Sequence, residues 1–242
     1  MLQLKPEGID LADAMSRPVA VCGWQLIADK SGALYWPGRR ALLVADLPLG
    51  SGPGGAIDGA DGASGQDGTR ETLVKLAEAM DRYEPQTVIV LGEGLHTGGA
   101  AAGMAAADLE VLRILQEDRD WVWVTGDADR PAPPQLGGRR CGELEVAGIT
   151  LRPRPTPGWA THEIAASLRP AAHLLMYGYS LRRACFVGNR QRLVMPAFGA
   201  AAGGVNVLDA PFRPLFGAGG MAVWMLGEEG LYPVATRLLA ED

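Results

Sequence analysis

R-A-L-L-V-A-D (40–46), T-V-I-V-L-G-E (87–93) and W-V-W-V-T-G-D (121–127) are three short apolar runs, each closed by an acidic residue. They are continuous rather than alternating, the pattern of strands covered on both faces, as in a parallel sheet. Between the first two, Leu73, Leu76, Ala77 and Met80 recur at helical spacing, and between the second and third Ala105–Asp118 carries Leu109, Leu112, Ile114 and Leu115 on one side. The first half therefore alternates strand and helix. In such sheets ligands bind outside the carboxyl ends of the strands. Asp46, Glu93 and Asp127 converge there. Three carboxylates suit a hard cation, and ordinary turn chemistry after a strand is the alternative reading.

Working outward, Val19–Ile27 reads as a strand, Asp29-Lys30-Ser31-Gly32 as a turn and Ala33–Pro37 as a partner strand. Leu49–Gly68 is dense in glycine and holds a single Ile, so a flexible loop is expected over 49–68. Thr69 is the expected cap of the next helix, although Thr69-Arg70-Glu71-Thr72 ends in Thr where a capping box has Glu or Gln. Beyond Gly138 short β-like runs dominate: Gly142–Val146, Ile149–Leu151, His173–Tyr177, Ala184–Val187, Leu193–Met195 and Met221–Leu226. The whole predicts an α/β or α+β layered sandwich, with α/β favoured, in one domain over 1–242.

The chain has 242 residues, 48% hydrophobic and 21% charged, with net charge −6. That composition is globular, and the acidic balance argues against a general nucleic-acid binder. Arg139, Arg140, Arg152, Arg154, Arg182, Arg183, Arg190 and Arg192 enrich the second half in cations, read as solvated loops and strand edges. Cys22, Cys141 and Cys185 lack disulfide or zinc spacing and are expected to be reduced. No basic start leads into an apolar leader and no apolar stretch reaches about 18 residues, so a cytoplasmic protein without membrane contact is expected.

The strand ends also carry a resemblance. Calcineurin-like metallophosphoesterases have D-x-H, G-D, G-N-H-D, a lone His and G-H-x-H. The corresponding segments here are A-D-L-P (45–48), L-G-E-G (91–94), G-D-A-D (126–129), L-R-P-R (151–154) and A-S-L-R (166–169). S-G-A-L-Y-W-P (31–37), D-W-V-W-V (120–124) and M-P-A-F-G-A-A-A-G-G-V-N-V-L-D (195–209) resemble the bacterial ligase-associated DNA-damage-response phosphodiesterase branch. The resemblance covers about residues 20 to 235. It implies a β-sandwich flanked by helices, a four-layer α/β/β/α fold, and a setting in bacterial DNA repair beside an ATP-dependent DNA ligase, helicase or nuclease.

In active members of that family two metal ions activate a water and clamp the phosphate. Carried over residue by residue, Asp46 and Asp129 are kept, Glu93 replaces the bridging Asp and Asp127 the Asn ligand. Pro48, Pro153, Ser167 and Arg169 stand where histidine ligands belong, and Ala128 stands where the leaving-group acid belongs. The resemblance thus implies a vestigial site of Asp46, Glu93, Asp127, Ala128, Asp129 and Arg169, with no catalytic residue. Oxygen ligands alone would hold at most one Mg²⁺, Mn²⁺ or Ca²⁺, at Asp46, Glu93 and Asp127, so no cofactor is expected. Arg169 is expected to contact Asp46 or Glu93 in place of the metal. Arg152 and Arg154 are candidate phosphate contacts. His96 reads as a packing group near the site and His173 as a satisfied core histidine.

His162-Glu163 lacks the second His of a zincin, because Ala166 stands there, and Gly50–Gly55 is a G-x-G-x-x-G with no helix behind it. The repeated D-G turns of 58–68 read as loop rather than calcium site. The resulting reading is a catalytically inactive phosphodiesterase homologue with a binding, scaffold or regulatory role. The rival is a metal-dependent phosphodiesterase or phosphatase with an altered, oxygen-only metal site. A third is a homo-oligomer or partner interface on 195–216, against which Phe198, Phe212 and Phe216 are expected to be core.

Overall fold

In the computed structural model, which describes residues 15–50, 66–92, 104–126, 134–158, 162–176, 179–199, 203–216 and 220–242, the three apolar runs lie side by side. They are β4 (Ala41–Ala45), β5 (Thr87–Leu91) and β6 (Asp120–Val124), paired in parallel with Ala45 beside Leu91 and Leu91 beside Val124. Their carboxyl ends are therefore level. Alternate residues face opposite ways in a strand, and both faces are covered. Leu42, Val44, Val88, Val90, Trp121 and Trp123 pack against Leu73, Leu76 and Met80 of α1 (Gln66–Tyr83) and Leu112 of α2 (Ala106–Gln116). Leu43, Ala45, Ile89, Leu91, Val122 and Val124 pack against a second sheet. This two-sided burial is why the runs are continuous.

The first sheet has the order β1-β2-β3-β4-β5-β6-β7, adding β1 (Ser16–Val21), β2 (Trp24–Asp29), β3 (Leu34–Trp36) and β7 (Arg139–Cys141). The strand expected over Val19–Ile27 is in fact a hairpin broken at Cys22 and Gly23. Both residues have left-handed φ, +52° and +83°. Two such residues in succession make the tight turn that matches strand twist, and Cys is a poor signal for it.

The second sheet contains β8 (Leu144–Val146), β9 (Ile149–Arg152), β10 (Glu163–Ala165), β11 (Pro170–Met176), β12 (Tyr179–Gly188), β13 (Arg192–Val194) and β14 (Val205–Asn206), with β15 (Ala222–Leu226) and β16 (Leu231–Val234) attached through β12. Its inner residues Leu151, Ile164, Phe186, Leu193 and Met195 meet the first sheet. Its outer face is covered by Val207, Phe212, Leu215 and Phe216. The α-helix there among the described residues is the four-residue α3 (Arg213–Phe216), and Phe212, in the turn before it, shares the packing with Leu215 and Phe216. The architecture is thus two large mixed sheets with few helices. Phe198, Phe212 and Phe216 are all buried, as core.

Helix α1 begins at Gln66, so the last three residues of the expected 49–68 loop are helical and Thr69 lies inside the first turn rather than before it. Its hydroxyl accepts from Gly50 N–H (3.1 Å), tying the end of the Leu49 segment to the helix. The stretch 51–65 lies outside the described residues. No described helix is long and apolar enough to cross a membrane.

Candidate functional site

Asp46 prolongs β4 by one residue: its N–H donates to Leu91 O at 2.8 Å. Its φ is +46°, a left-handed conformation that Asp tolerates better than most residues. Gly92, with φ +101°, closes β5 beside it, and a Cβ there would lie 2.1 Å from Asp46 Oδ1 and 3.2 Å from Ala166 Cβ. Only glycine lets the Asp46 carboxylate lie against the end of β5. The carboxylate is buried, so it needs donors. Oδ2 accepts from Ser167 N–H at 3.0 Å and Oδ1 lies 3.4 Å from Ser167 Oγ.

Ser167 leaves the end of β10 with φ +66°, and Arg169 follows with φ +47°. Left-handed non-glycine residues cost about 1–3 kcal/mol each and cluster at functional sites. The Arg169 carbonyl accepts from Gly204 and Val205 N–H, at 2.7 and 3.1 Å. Its side chain runs along Gly204, and its Nε is buried with no hydrogen-bond partner. Among the described residues Arg169 makes no ion pair with Asp46. Ser167, two residues earlier, takes the place expected for it, because the 166–169 turn brings the Ser167 N–H to the carboxylate. The other expected partner of Arg169, Glu93, lies outside the described residues, as do His96, Asp127, Ala128 and Asp129.

Pro153 is buried, with Cγ 3.9 Å from where a Gly126 Cβ would stand. One sheet edge thus gathers Asp46, Gly92, Gly126, Pro153, Ala166 and Ser167, the segments the sequence pattern had set in correspondence. No group of three His, Cys, Asp or Glu able to hold a metal occurs among the described residues. Pro153, Ser167 and Arg169 supply no imidazole, so these positions do not fit a dinuclear site.

Arg152 is bound to Glu143 and lies 3.3 Å from Glu163 Oε2, which commits its guanidinium to the protein. Arg154 is exposed. His162 is exposed too, and Glu163 sits on a strand rather than a helix. His173 is half-buried between Ser180 Oγ (2.9 Å) and Glu241 O (3.0 Å).

Two further buried charge networks carried no signal in the residue pattern. Glu163 Oε1 lies 2.9 Å from Arg192 Nε, an ion-pair contact rather than an aligned hydrogen bond. Arg192 also donates to the carbonyls of Thr156, Gly158 and Leu215, at 2.9, 2.9 and 3.1 Å. On the first sheet, fully buried Asp29 accepts from Arg82 Nη1 (2.6 Å), Tyr83 Oη (2.7 Å) and Ser31 N–H (2.8 Å). Burial, and then the Asp29 charge, push the Tyr83 hydroxyl well above the ordinary tyrosine range.

No protein-family model matches the chain, and no curated protein matches it. Among solved structures it is similar to the Pseudomonas putida nuclease MPE, at 26% identity and a TM-score of 0.66, over 90% of this chain and 100% of that chain. The likeness supports a nuclease-like, phosphoesterase-type fold along most of the chain.

Proposed function

We propose that this chain is a metallophosphoesterase-fold protein of the ligase-associated DNA-damage-response branch that binds nucleic-acid phosphate without hydrolysing it. It would act in the bacterial cytoplasm as a binding, scaffold or regulatory component beside a DNA ligase, helicase or nuclease. The observation that carries this reading is the Ser167–Asp46 contact. A carboxylate offers about four lone-pair directions, and Ser167, at a position where the resembled family has a histidine ligand, now points two donors at them. Ala128 in place of the leaving-group acid removes general acid help worth about 10²–10⁴ in rate.

The likeness to a nuclease favours a second reading, a phosphodiesterase using one cation at Asp46, Glu93 and Asp127. The deciding experiment is metal content by mass spectrometry on protein purified without chelator, with a bis-p-nitrophenyl phosphate assay in added Mn²⁺. The expected result is no stoichiometric metal and no turnover. Turnover that Asp46→Ala abolishes would establish the second reading instead.

A further inference from the structure

A cavity of about 510 Å³ opens between α1, the β2–β3 turn, β12 and the β15–β16 turn, a volume in the range of ligand sites. Lys30, Lys75, Arg82 and Arg183 line it, against Asp29, Glu78 and Glu228. Lys5, Lys30 and Lys75 are the chain's lysines, so two of three meet in one cavity on an acidic protein.

Glu78 is exposed at the cavity wall, and Asp29 and Glu228 do not cancel the cations equally. Asp29 is fully buried and its charge is spent on Arg82, Tyr83 and Ser31. That network makes a rigid wall. Glu228 holds Arg183 at 3.1 Å, but its side chain is 87% exposed, and such solvent-screened pairs are weak. Among the described residues, Lys75 is paired with exposed Glu71, one helical turn earlier. Lys30 donates to a carbonyl, Glu228 O, at 2.8 Å. A phosphate can therefore exchange for Glu228 on Arg183, which presents a planar fork suited to it, while both lysines reach it as point charges.

The position of the cavity adds to this. β2 runs parallel to β4, because each is antiparallel to β3, so the turn after β2 lies at the same sheet edge as Asp46. Consecutive residues bridge the two: Phe198 N–H donates to Ala45 O and Gly199 N–H to Ser31 O, both at 2.8 Å. With Cα atoms ~3.8 Å apart, the two carbonyls are within about 10 Å of each other.

We propose that this cavity is a phosphate-binding site, built by Lys30, Lys75 and Arg183, which holds a phosphate of a nucleic-acid strand laid along the Asp46 edge. The strand rests on the function proposed above. The cavity chemistry does not, and a free nucleotide offers the same phosphate. The test is fluorescence anisotropy with labelled oligo-dT across a salt series, and calorimetry with dTMP, on wild type, Lys30→Gln/Lys75→Gln and Lys30→Arg/Lys75→Arg. Thermal melts check that each variant folds. The expected result is about tenfold weaker oligonucleotide binding in the Gln pair. Its salt slope should be shallower by about 0.7, the share of one single-strand phosphate. The Arg pair should restore both. Lysine-dependent binding of dTMP without oligonucleotide binding supports the cavity and identifies a free nucleotide as its ligand. Oligonucleotide binding with an unchanged slope in the Gln pair overturns the cavity while sparing the nucleic-acid reading. Binding of neither probe overturns both. Turnover of bis-p-nitrophenyl phosphate removes only the non-catalytic reading.

Discussion

Asp29 and Asp46 end parallel strands of one sheet, and both are buried, yet they are held differently. Asp29 is neutralised by Arg82 and further bound by Tyr83 and Ser31. Among the described residues, the donors given to Asp46 come from Ser167, through an N–H and a hydroxyl. Glu163 follows Asp29: Arg192 lies against it, fully buried. A carboxylate that serves the fold takes an arginine. At Asp46 the donors among the described residues are a backbone N–H and a hydroxyl, both neutral.

The widest test of this contrast is Arg192→Met. It removes the fully buried cation against Glu163 and leaves Arg152, at 3.3 Å, as the remaining one, and unfolding in urea should show a loss of about 3 kcal/mol. Loss below about 1 kcal/mol would mean that Arg152 alone holds Glu163. Gly92→Ala comes next. The added Cβ meets Asp46 Oδ1 and the φ is left-handed, so about 2 kcal/mol or more should go, at least half from the backbone alone. Asp29→Asn keeps the shape but halves the acceptors and removes the charge, at about 1–3 kcal/mol by thermal melt. Ser167→Ala removes only the long hydroxyl contact and should cost about 0.5 kcal/mol. A larger loss would mean that Asp46 depends on Ser167 as Asp29 depends on Arg82.

Tyr83 sharpens the contrast through pH. Its folded pKa is raised above the ordinary 10.0, so the unfolded chain releases this proton first. Its contribution is intact below pH 10.0 and declines as pH rises above that value. The stability of wild type should fall more steeply above that pH than that of Tyr83→Phe, read as urea midpoints at successive pH values.

The centre of the fold was legible because burial on both faces writes itself as unbroken apolar runs, and the two helices because their apolar faces repeat at helical spacing. The Cys22–Gly23 turn was not, since half of it is a residue with no turn preference. The charge networks were not legible either. Arg82 is 53 residues from Asp29, and Ser167 is 121 from Asp46; a single sequence has no signal that joins such positions. At the site, the absence of imidazole at Pro48, Pro153, Ser167 and Arg169 was visible as residue types. Which residue meets Asp46 was not, because the choice between Ser167 and Arg169 is made by two left-handed residues in a four-residue turn.

The Met195–Gly199 segment touches the first sheet through two neighbouring amides, Phe198 on Ala45 and Gly199 on Ser31. Phe198 is anchored among the core side chains on the helix side of that sheet, which ties the two amides to one buried ring. A molecule wedged against Gly199 cannot lift that amide without pulling on the one beside Asp46. The two amides should therefore exchange with deuterium at a common rate, and occupancy of one end would be read at the other as a change in that shared rate.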